Sequence, residues 1–397
     1  MPYFDHAAST PLCEQAFDAM QPYLRDNFGN PSSLHHLGKS ARHAVETARE
    51  RVAQLLNARP AEIVFNSGAT EGNNHALKGV AHRLRERGRH IVSINIEHDA
   101  TLHPLHALER EGFEVTYVGV ENDGRVLESQ IAAALRSDTV LVSVMHANNE
   151  MGTLQPIAQI GALCRQRNII FHCDACQTVG HVPVDVRALN VDLLTCSAHK
   201  FYGAKGAGAL YVRRGVRLET LVDGGTQQRG RRAGTENVPS IVAMGAAAMV
   251  ALNAMQSGEE AHVAALRERL IAGIEAQNIG AHLNGHRSDR VPGIANFSFE
   301  GIEGEGLILE LDARGGFCCS TGSACAAGSL DPSPVLLAIG LPVGLARAGT
   351  RFSLGRGNTE KEVDDLVQLL PQVLHSLRAL SPETRAAFVG GQTDNAG

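Results

Sequence analysis

Short apolar runs alternate with amphipathic stretches through the first half of the chain, and this alternation restricts the fold more than any other feature. Apolar positions at three- and four-residue spacing predict helices, the first at residues 38–57, with Ala41, Val45 and Val52 on one face. Strands separated by such helices imply crossover connections, so we expect an α/β fold, a mainly parallel sheet between helices. The apolar runs predict strands at residues 63–65, 91–96, 114–118, 140–145 and 169–173.

The second half of the chain predicts further strands and then a separate unit. Residues 191–196 and 209–212 extend the sheet, and residues 238–255 and 259–277 follow as long helices. The last part mixes short strands with helices, as in a smaller α+β domain, whereas turn signals predict an irregular segment at residues 1–35. We divide the chain into an N-terminal arm that contributes to the small domain, a large domain, a small domain and a polar tail: residues 1–15, 16–260, 261–380 and 381–397.

Charge and composition argue against several classes of function. The net charge of −6 argues against a nucleic-acid surface, and the basic run at residues 229–232 is too short to change that. No targeting peptide is expected from the first ten residues, and the longest apolar run, residues 241–252, is too short to cross a bilayer. Eight cysteines in 397 residues fit a reducing compartment. We therefore expect a cytoplasmic protein with no nucleic-acid or membrane partner.

Lys200 lies between two predicted strands, in the segment SAHKFYGAKGAG at residues 197–208. Small, hydroxyl and imidazole groups flank it. An amine that is partly shielded from water loses proton affinity and can form a Schiff base with an aldehyde. The alternative is an ordinary surface lysine, and this segment alone does not decide between the two.

Asp174 follows the predicted strand 169–173, at the edge where ligands bind in open α/β sheets. A carboxylate there can keep the heterocyclic nitrogen of a pyridoxal ring protonated, although a turn-capping aspartate is the alternative. Gln177 lies three residues further on. Cys173 and Cys176 form a C-x-x-C pair, but without a second pair a redox or zinc site is weakly indicated.

Three further segments follow predicted strands. Residues 67–70, Ser-Gly-Ala-Thr, open a helix whose free N–H groups could bind an anion, although N-capping by Ser67 or Thr70 is the commoner case. His98 could stack on a planar cofactor or move protons, with a structural histidine as the alternative. Asn149 could donate a hydrogen bond to a ligand oxygen.

Residues 320–329 are small and have little apolar surface to bury, so we expect Cys325 on an exposed, mobile loop where its thiol can act as a nucleophile. Asp331 and Pro332 are expected to cap the next helix. Arg351 opens a predicted strand at residues 351–354. Its planar guanidinium could clamp a substrate carboxylate, with a salt-bridged surface arginine as the alternative.

Taken together and in this order, the motifs resemble a cysteine desulfurase of the nitrogen-fixation and iron–sulfur-assembly type. That group belongs to the class V aminotransferases, pyridoxal-phosphate enzymes of fold type I. The resemblance extends from residue 4 to about residue 359. It rests on the stretches FDHAASTP, FGNPSSLH, EIVFNSGATEGNN, HANNEMG, HCDACQTVG, SAHKFYGAKGAGALYVRRG, RGRRAGTEN, STGSACAAGSLDPS and RFSLGRGNT.

The resemblance implies a role for each of these site residues. Lys200 would hold pyridoxal 5'-phosphate as a Schiff base, Asp174 would pair with its pyridine nitrogen, and His98 would stack on its ring and take part in catalysis. Gln177 and Asn149 would contact the phenolic oxygen side. The phosphate would be bound by small, hydroxyl and imidazole residues, one of them from a neighbouring subunit: Ala69, Thr70, Ser197, His199 and the neighbour's Thr235.

The implied reaction removes sulfur from L-cysteine, leaving L-alanine and a persulfide on Cys325, with Asn149 and Arg351 binding the substrate. The resemblance also implies a homodimer and an iron–sulfur scaffold protein as sulfur acceptor. It implies no intrinsic metal site, only Cys325 as a transient ligand of an iron–sulfur cluster. A class V aminotransferase, a selenocysteine lyase using the same Lys200, and a non-catalytic assembly scaffold stay open as alternatives.

Overall fold

The computed structural model describes residues 2–322 and 331–380. Cys325 and the polar tail 381–397 therefore lie outside the described residues. The helices are α1 (Glu14–Arg25), α2 (His36–Leu55), α3 (Ala69–Leu84), α4 (Asp99–Arg110), α5 (Glu128–Ala134), α6 (Ile157–Gln166), α7 (Gln227–Gly230), α8 (Val238–Ser257), α9 (Glu259–Glu275), α10 (Gly304–Gly315), α11 (Pro334–Ala338), α12 (Val343–Arg347) and α13 (Glu360–Leu380). The strands are β1 (Ile63–Asn66), β2 (His90–Ile94), β3 (Glu114–Val118), β4 (Thr139–Ser143), β5 (Ile170–Asp174), β6 (Leu193–Ser197), β7 (Gly208–Val212), β8 (Ala281–Asn284), β9 (Ile294–Phe299) and β10 (Gly349–Ser353).

A seven-stranded sheet with the order β1-β7-β6-β5-β4-β2-β3 forms the centre of the larger part. The five strands from β6 to β3 pair in parallel, whereas β7 runs antiparallel to both β6 and β1. The direction of β7 follows from its connection, since the loop from β6 to β7 is too short for a crossover helix. The predicted mainly parallel sheet is confirmed.

Helices cover both faces of this sheet. Successive strand residues alternate between two apolar clusters: Ile91 and Leu193 belong to the cluster that contains α3 and α4, whereas Val92 and Leu194 belong to the cluster that contains α2 and α8. This alternation is the two-residue period of a strand. Because both faces are buried, the strands have the continuous apolar sequences from which they were predicted.

A three-stranded antiparallel sheet, β10-β9-β8, forms the smaller part. Its apolar cluster includes residues of α9, α10 and α13, and also Phe4 from the N-terminal arm. The arm is held there by backbone hydrogen bonds, from Phe4 N to Cys318 O at 2.8 Å and from Ser353 N to Phe4 O at 2.7 Å. The exact domain boundaries stay a prediction.

Two local predictions were wrong. Residues 1–35 are not irregular throughout, because α1 lies within them; its buried Ala16 packs in the core, and tertiary packing outweighs the turn signal of Pro22. Helix α11 is capped not by Asp331 but by Ser333, whose hydroxyl accepts from Leu336 N at 3.2 Å. Pro334 takes the first helical position, which suits its fixed φ.

Helix α8 is the only helix within residues 2–322 and 331–380 that is long and apolar enough to cross a membrane, by length and composition alone. Of its most apolar stretch, 61% is buried inside the protein. It packs against α1 and α2 in the larger apolar cluster. A helix buried in the core of a protein meets the same criteria of length and composition as a membrane-spanning helix.

Close packing of α8 on α2 gives a first prediction. A Cβ on Gly245 would lie 2.6 Å from the Cα of Ala48 and 2.7 Å from its Cβ. Gly245→Ala should therefore lower the free energy of unfolding in urea by about 1–3 kcal/mol, since the helices must move apart. Gly344→Ala in α12 is the control: its Cβ would meet nothing within 4 Å. It should stabilise slightly, by about 0.5–1 kcal/mol. Equal stabilities of the two variants would contradict close packing at Gly245.

Candidate active site

A cavity of about 580 Å³ opens at the carboxyl ends of the parallel strands. Open α/β sheets bind ligands at this edge. Asp174 and Ser197 end β5 and β6, while the segments after β2 and β4 supply further lining residues. Ten of the predicted site residues line this one cavity: Ala69, Thr70, His98, Asn149, Asp174, Gln177, Ser197, His199, Lys200 and Arg351.

Two predicted site residues are not among the described residues that line this cavity. Thr235 is exposed and lies away from the cavity lining of its own chain. Cys325 belongs to the segment 323–330, outside the described residues. The roles of all twelve residues stay predictions; the structure shows that ten of them share one cavity.

Lys200 ends a short 3₁₀ turn, Ala198–Lys200, directly after β6. Its Nζ donates to the carbonyl oxygens of Ala7 at 2.6 Å and Ala8 at 3.0 Å, both in the N-terminal arm. Burial, and after it the positive charge of Arg351, lowers the pKa of the Lys200 amine. An amine with reduced proton affinity is what nucleophilic chemistry at an aldehyde needs.

Asp174 is buried, and both of its carboxylate oxygens accept hydrogen bonds. Asn73 Nδ2 donates to Oδ2 at 2.6 Å, and Cys176 N donates to Oδ1 at 3.0 Å. The same Asn73 Nδ2 also donates to Thr101 Oγ1 at 3.2 Å. This second hydrogen bond fixes the orientation of the Asn73 side chain that holds the carboxylate. The cavity therefore has a fixed anion on the floor formed by β5. Asn73 was not predicted from sequence, because nothing in its own helix marks it as facing Asp174.

The N-terminus of α3 faces the cavity with no side chain capping it. The alternative of capping by Ser67 or Thr70 is wrong: Ser67 Oγ instead donates to Glu71 Oε2 at 2.6 Å. The cap position is Gly68, with a φ of 152° that disfavours any residue with a Cβ. Free N–H groups and the positive end of the helix dipole make this terminus suitable for an anion such as a phosphate.

Arg232, from the basic run at residues 229–232, is paired rather than free. It contacts Glu71 through two hydrogen bonds, of 2.7 and 3.0 Å. Burial would raise the pKa of Glu71, but the hydrogen bonds from Arg232 and Ser67 outweigh burial and lower it to about 2. The segment that carries Thr235 is thus attached to the first turn of α3.

Arg351 lies in β10, at the wall of the cavity, and only 2% of it is exposed. Its Nη2 forms an ion pair with Asp5 Oδ1 at 2.7 Å. Its Nη1 donates to the carbonyl oxygens of Asn149 at 2.8 Å and Gly322 at 3.2 Å. The alternative of a surface arginine is wrong. Nε is buried and has no hydrogen-bond partner among the described residues.

The chain matches the aminotransferase class-V family over residues 2–366. Cysteine desulfurase IscS of Clostridium botulinum is 49% identical to it over 382 residues, which cover 96% of each chain. Among solved structures, a NifS-like protein superposes with a TM-score of 0.88 at 37% identity, covering 95% of this chain and 100% of that one. A structure described as SspA in complex with cysteine has a TM-score of 0.80 at 36% identity, covering 90% and 100%.

The chain belongs to the cysteine desulfurases of the aminotransferase class-V family. This membership confirms the fold-type I architecture that the motifs predicted. It also confirms that the chain is an enzyme of the desulfurase group rather than a non-catalytic scaffold.

Two buried carboxyl groups line the cavity of this desulfurase and were not predicted as site residues. Burial, and after it the charge of Asp174, raises the pKa of Glu97 well above its ordinary value. Its Oε1 accepts from Met145 N at 2.6 Å. Burial likewise raises the pKa of Glu150 to about 7, against the opposing effects of Ser333 and Arg351. Their positions beside His98 and Asn149, directly after strands, are the sequence signal that could have identified them.

Glu150 gives a prediction about stability and pH. A carboxyl group whose folded-state pKa is raised stabilises the fold fully below its unfolded pKa, near 4.5, and loses that contribution as pH rises through about 7. The stability of Glu150→Gln relative to that of the native protein should therefore rise between pH 5 and pH 8, by up to ~3 kcal/mol.

Urea unfolding of the cofactor-loaded protein at the two pH values measures this difference. Glu50→Gln, at an exposed position of α2, is the matched control and should show no such trend. A constant difference between Glu150→Gln and the native protein across this range would contradict a raised pKa.

Proposed function

We propose that the chain is a pyridoxal-phosphate-dependent cysteine desulfurase that converts L-cysteine to L-alanine and carries the sulfur as a persulfide on Cys325. One observation carries this proposal. A lysine amine of lowered pKa, a fixed buried carboxylate and a buried arginine line a single cavity, in a chain of the desulfurase family.

The residues present fit pyridoxal phosphate. Lys200 offers the amine, Asp174 the anion for a protonated ring nitrogen, and the uncapped N-terminus of α3 a site for the phosphate. Burial, followed by the charges of Lys200 and Lys205, lowers the pKa of His199 to about 4, so its imidazole is neutral at pH 7. It can then act as donor or acceptor. When bound, the cofactor supplies an aldehyde that reacts with amines and a ring that withdraws electrons.

The chain's own residues bind the substrate and move its protons. Arg351 orients the L-cysteine carboxylate from the wall of the cavity, which brings the substrate amine toward Lys200. Lys200, once free, takes and returns the proton at the substrate Cα, because its lowered pKa favours the neutral amine that can act as a base. Asp174 keeps a proton at the ring nitrogen throughout.

Cys325 completes the reaction in this proposal. Its thiolate attacks the sulfur of L-cysteine, forming an S–S bond while the C–S bond breaks and leaves its electron pair on carbon. Protonation of that carbon, and return of the Cα proton, gives L-alanine. The described cysteines that have resolved pKa shifts all have raised values, mostly through burial, so they are poor nucleophiles: Cys164, Cys173, Cys176, Cys196, Cys318 and Cys319.

The proposal includes the partners and compartment of the enzyme. Leu24, Phe28 and Leu34 expose 60%, 73% and 81% of their surface, which supports a homodimer in which Thr235 reaches the neighbouring cavity. An iron–sulfur scaffold protein is the proposed sulfur acceptor, with Cys325 as a transient cluster ligand. The seven cysteines in the described part of the chain are free, which supports the reducing cytoplasm.

Substitution of Cys325 tests the proposal. Cys325→Ala should abolish sulfide release from L-cysteine in the presence of a thiol, while the visible absorbance of the bound cofactor is retained. Cys318→Ser is the matched control, since this half-exposed cysteine has no proposed role, and it should keep full activity. Sulfide release by Cys325→Ala at the native rate would contradict the proposal. A keto acid in place of alanine would contradict it in favour of an aminotransferase.

Substitution of Lys200, the proposed site of covalent cofactor attachment, gives a second test. Lys200→Ala should lose the absorbance of a covalently bound cofactor, and borohydride reduction followed by mass spectrometry should find no modified lysine. The native protein should show the added mass on the peptide that contains Lys200. Modification of another lysine would contradict the assignment.

A further inference from the structure

Glu150 is a buried carboxyl group at the cavity that has no part in the chemistry proposed above. It lies in the turn after β4, next to Asn149, and 4% of it is exposed. A neutral side chain would fill this place without the penalty of burying an ionisable group. Its contacts show which parts of the chain the carboxyl group touches.

The side chain of Glu150 contacts both flanks of the segment 323–330. On one side, Ser333 Oγ donates to Glu150 Oε2 at 2.6 Å, and Ser333 is the residue that caps α11. On the other side, a Cβ built on Gly322 would lie 3.1 Å from Glu150 Cγ and 3.2 Å from Oε2, so the carboxyl group packs directly on Gly322. Gly322 has a φ of 100°, a backbone conformation that only glycine adopts without strain. One side chain thus touches the residue before the segment and the cap residue after it.

Arg351 holds the same region from the other direction. Its Nη1 donates to the carbonyl oxygen of Gly322 and to that of Asn149, the residue before Glu150. Gly322 is therefore enclosed between the carboxyl group of Glu150 and the guanidinium of Arg351. The charged groups that influence Glu150 are Arg351 from β10 and Asp99 from the start of α4.

We propose that Glu150 is a positioning residue, which fixes both flanks of the Cys325 segment relative to Arg351, so that transfer of sulfur to Cys325 depends on it. This inference rests on the proposed function, in which Arg351 orients the substrate and Cys325 accepts its sulfur. Since Arg351 and Glu150 share Gly322, the orientation of the substrate and the placement of the flanks are linked through one backbone position. Steps that do not involve Cys325, such as proton exchange at Cα, should not need Glu150.

The test separates these two steps in the cofactor-loaded enzyme. Exchange of the Cα proton of L-alanine for deuterium in D₂O reports on Lys200 and the cofactor without a thiol. Persulfide on Cys325 in a single turnover with L-cysteine, followed by mass spectrometry, reports on sulfur transfer. Glu150→Ala should slow persulfide formation at least about tenfold, because a misplaced nucleophile loses its reacting geometry. Alanine exchange should stay within about twofold of the native rate.

Two further variants identify the contact that matters. Glu150→Gln keeps an acceptor for Ser333 and the packing on Gly322, so its persulfide rate should stay within about threefold of the native rate. Ser333→Ala removes one flank contact and should fall between the native enzyme and Glu150→Ala. A Glu150→Gln loss as large as that of Glu150→Ala would overturn the proposed anchoring.

Other outcomes are equally decisive. A native persulfide rate in Glu150→Ala, or an equal loss of persulfide formation and alanine exchange, would overturn the positioning role while leaving the proposed function intact. Native enzyme that exchanges alanine but forms no persulfide would instead contradict the proposed function, and the role of Glu150 with it.

Discussion

A buried guanidinium joins three distant parts of the chain at the wall of the cavity. Arg351 belongs to the small sheet, its ion-pair partner Asp5 to the N-terminal arm, and the carbonyl groups that it binds to the turn after β4 and the segment before residue 323. An ion pair with so little exposure depends on having its hydrogen bonds made, since an unpaired charge there is strongly unfavourable. The same set of contacts therefore fixes both the wall of the cavity and the docking of the small sheet.

Asp174 and Lys200 line the cavity with no ion-pair partner among the described residues, unlike Arg351, which pairs with Asp5. Asp174 is held by amide donors rather than by a cation, and the Lys200 amine is held by backbone carbonyl oxygens rather than by an anion. Each group thereby keeps capacity for a ligand. A site built in this way is preorganised, because its dipoles already point at the positions where charge will develop.

Much of the fold and of the candidate site could be predicted from sequence, for a physical reason. Strands buried on both faces have continuous apolar sequences, so β4 and β5 were located to within two residues, and the strand-end rule brought Asp174, His98 and Asn149 to one edge. The helix α1 was not predicted, because its stability comes from packing on α8. Asn73 and Glu150 were missed for a related reason: they act on residues 101 and 183 positions away in sequence, and no local pattern encodes such a contact.

The N-terminal arm supplies the carbonyl groups that hold Lys200, yet the arm is itself held by residues near the other end of the chain. Ser353 O and Oγ accept from the backbone N–H groups of His6 and Ala7, about 346 residues apart in sequence. During synthesis, residues 6 and 7 can make these contacts only after residue 353 has been added, so the arm cannot dock before then. A nascent chain that ends between residues 212 and 353 thus has every strand of the large sheet but lacks the contacts that hold the arm beside Lys200.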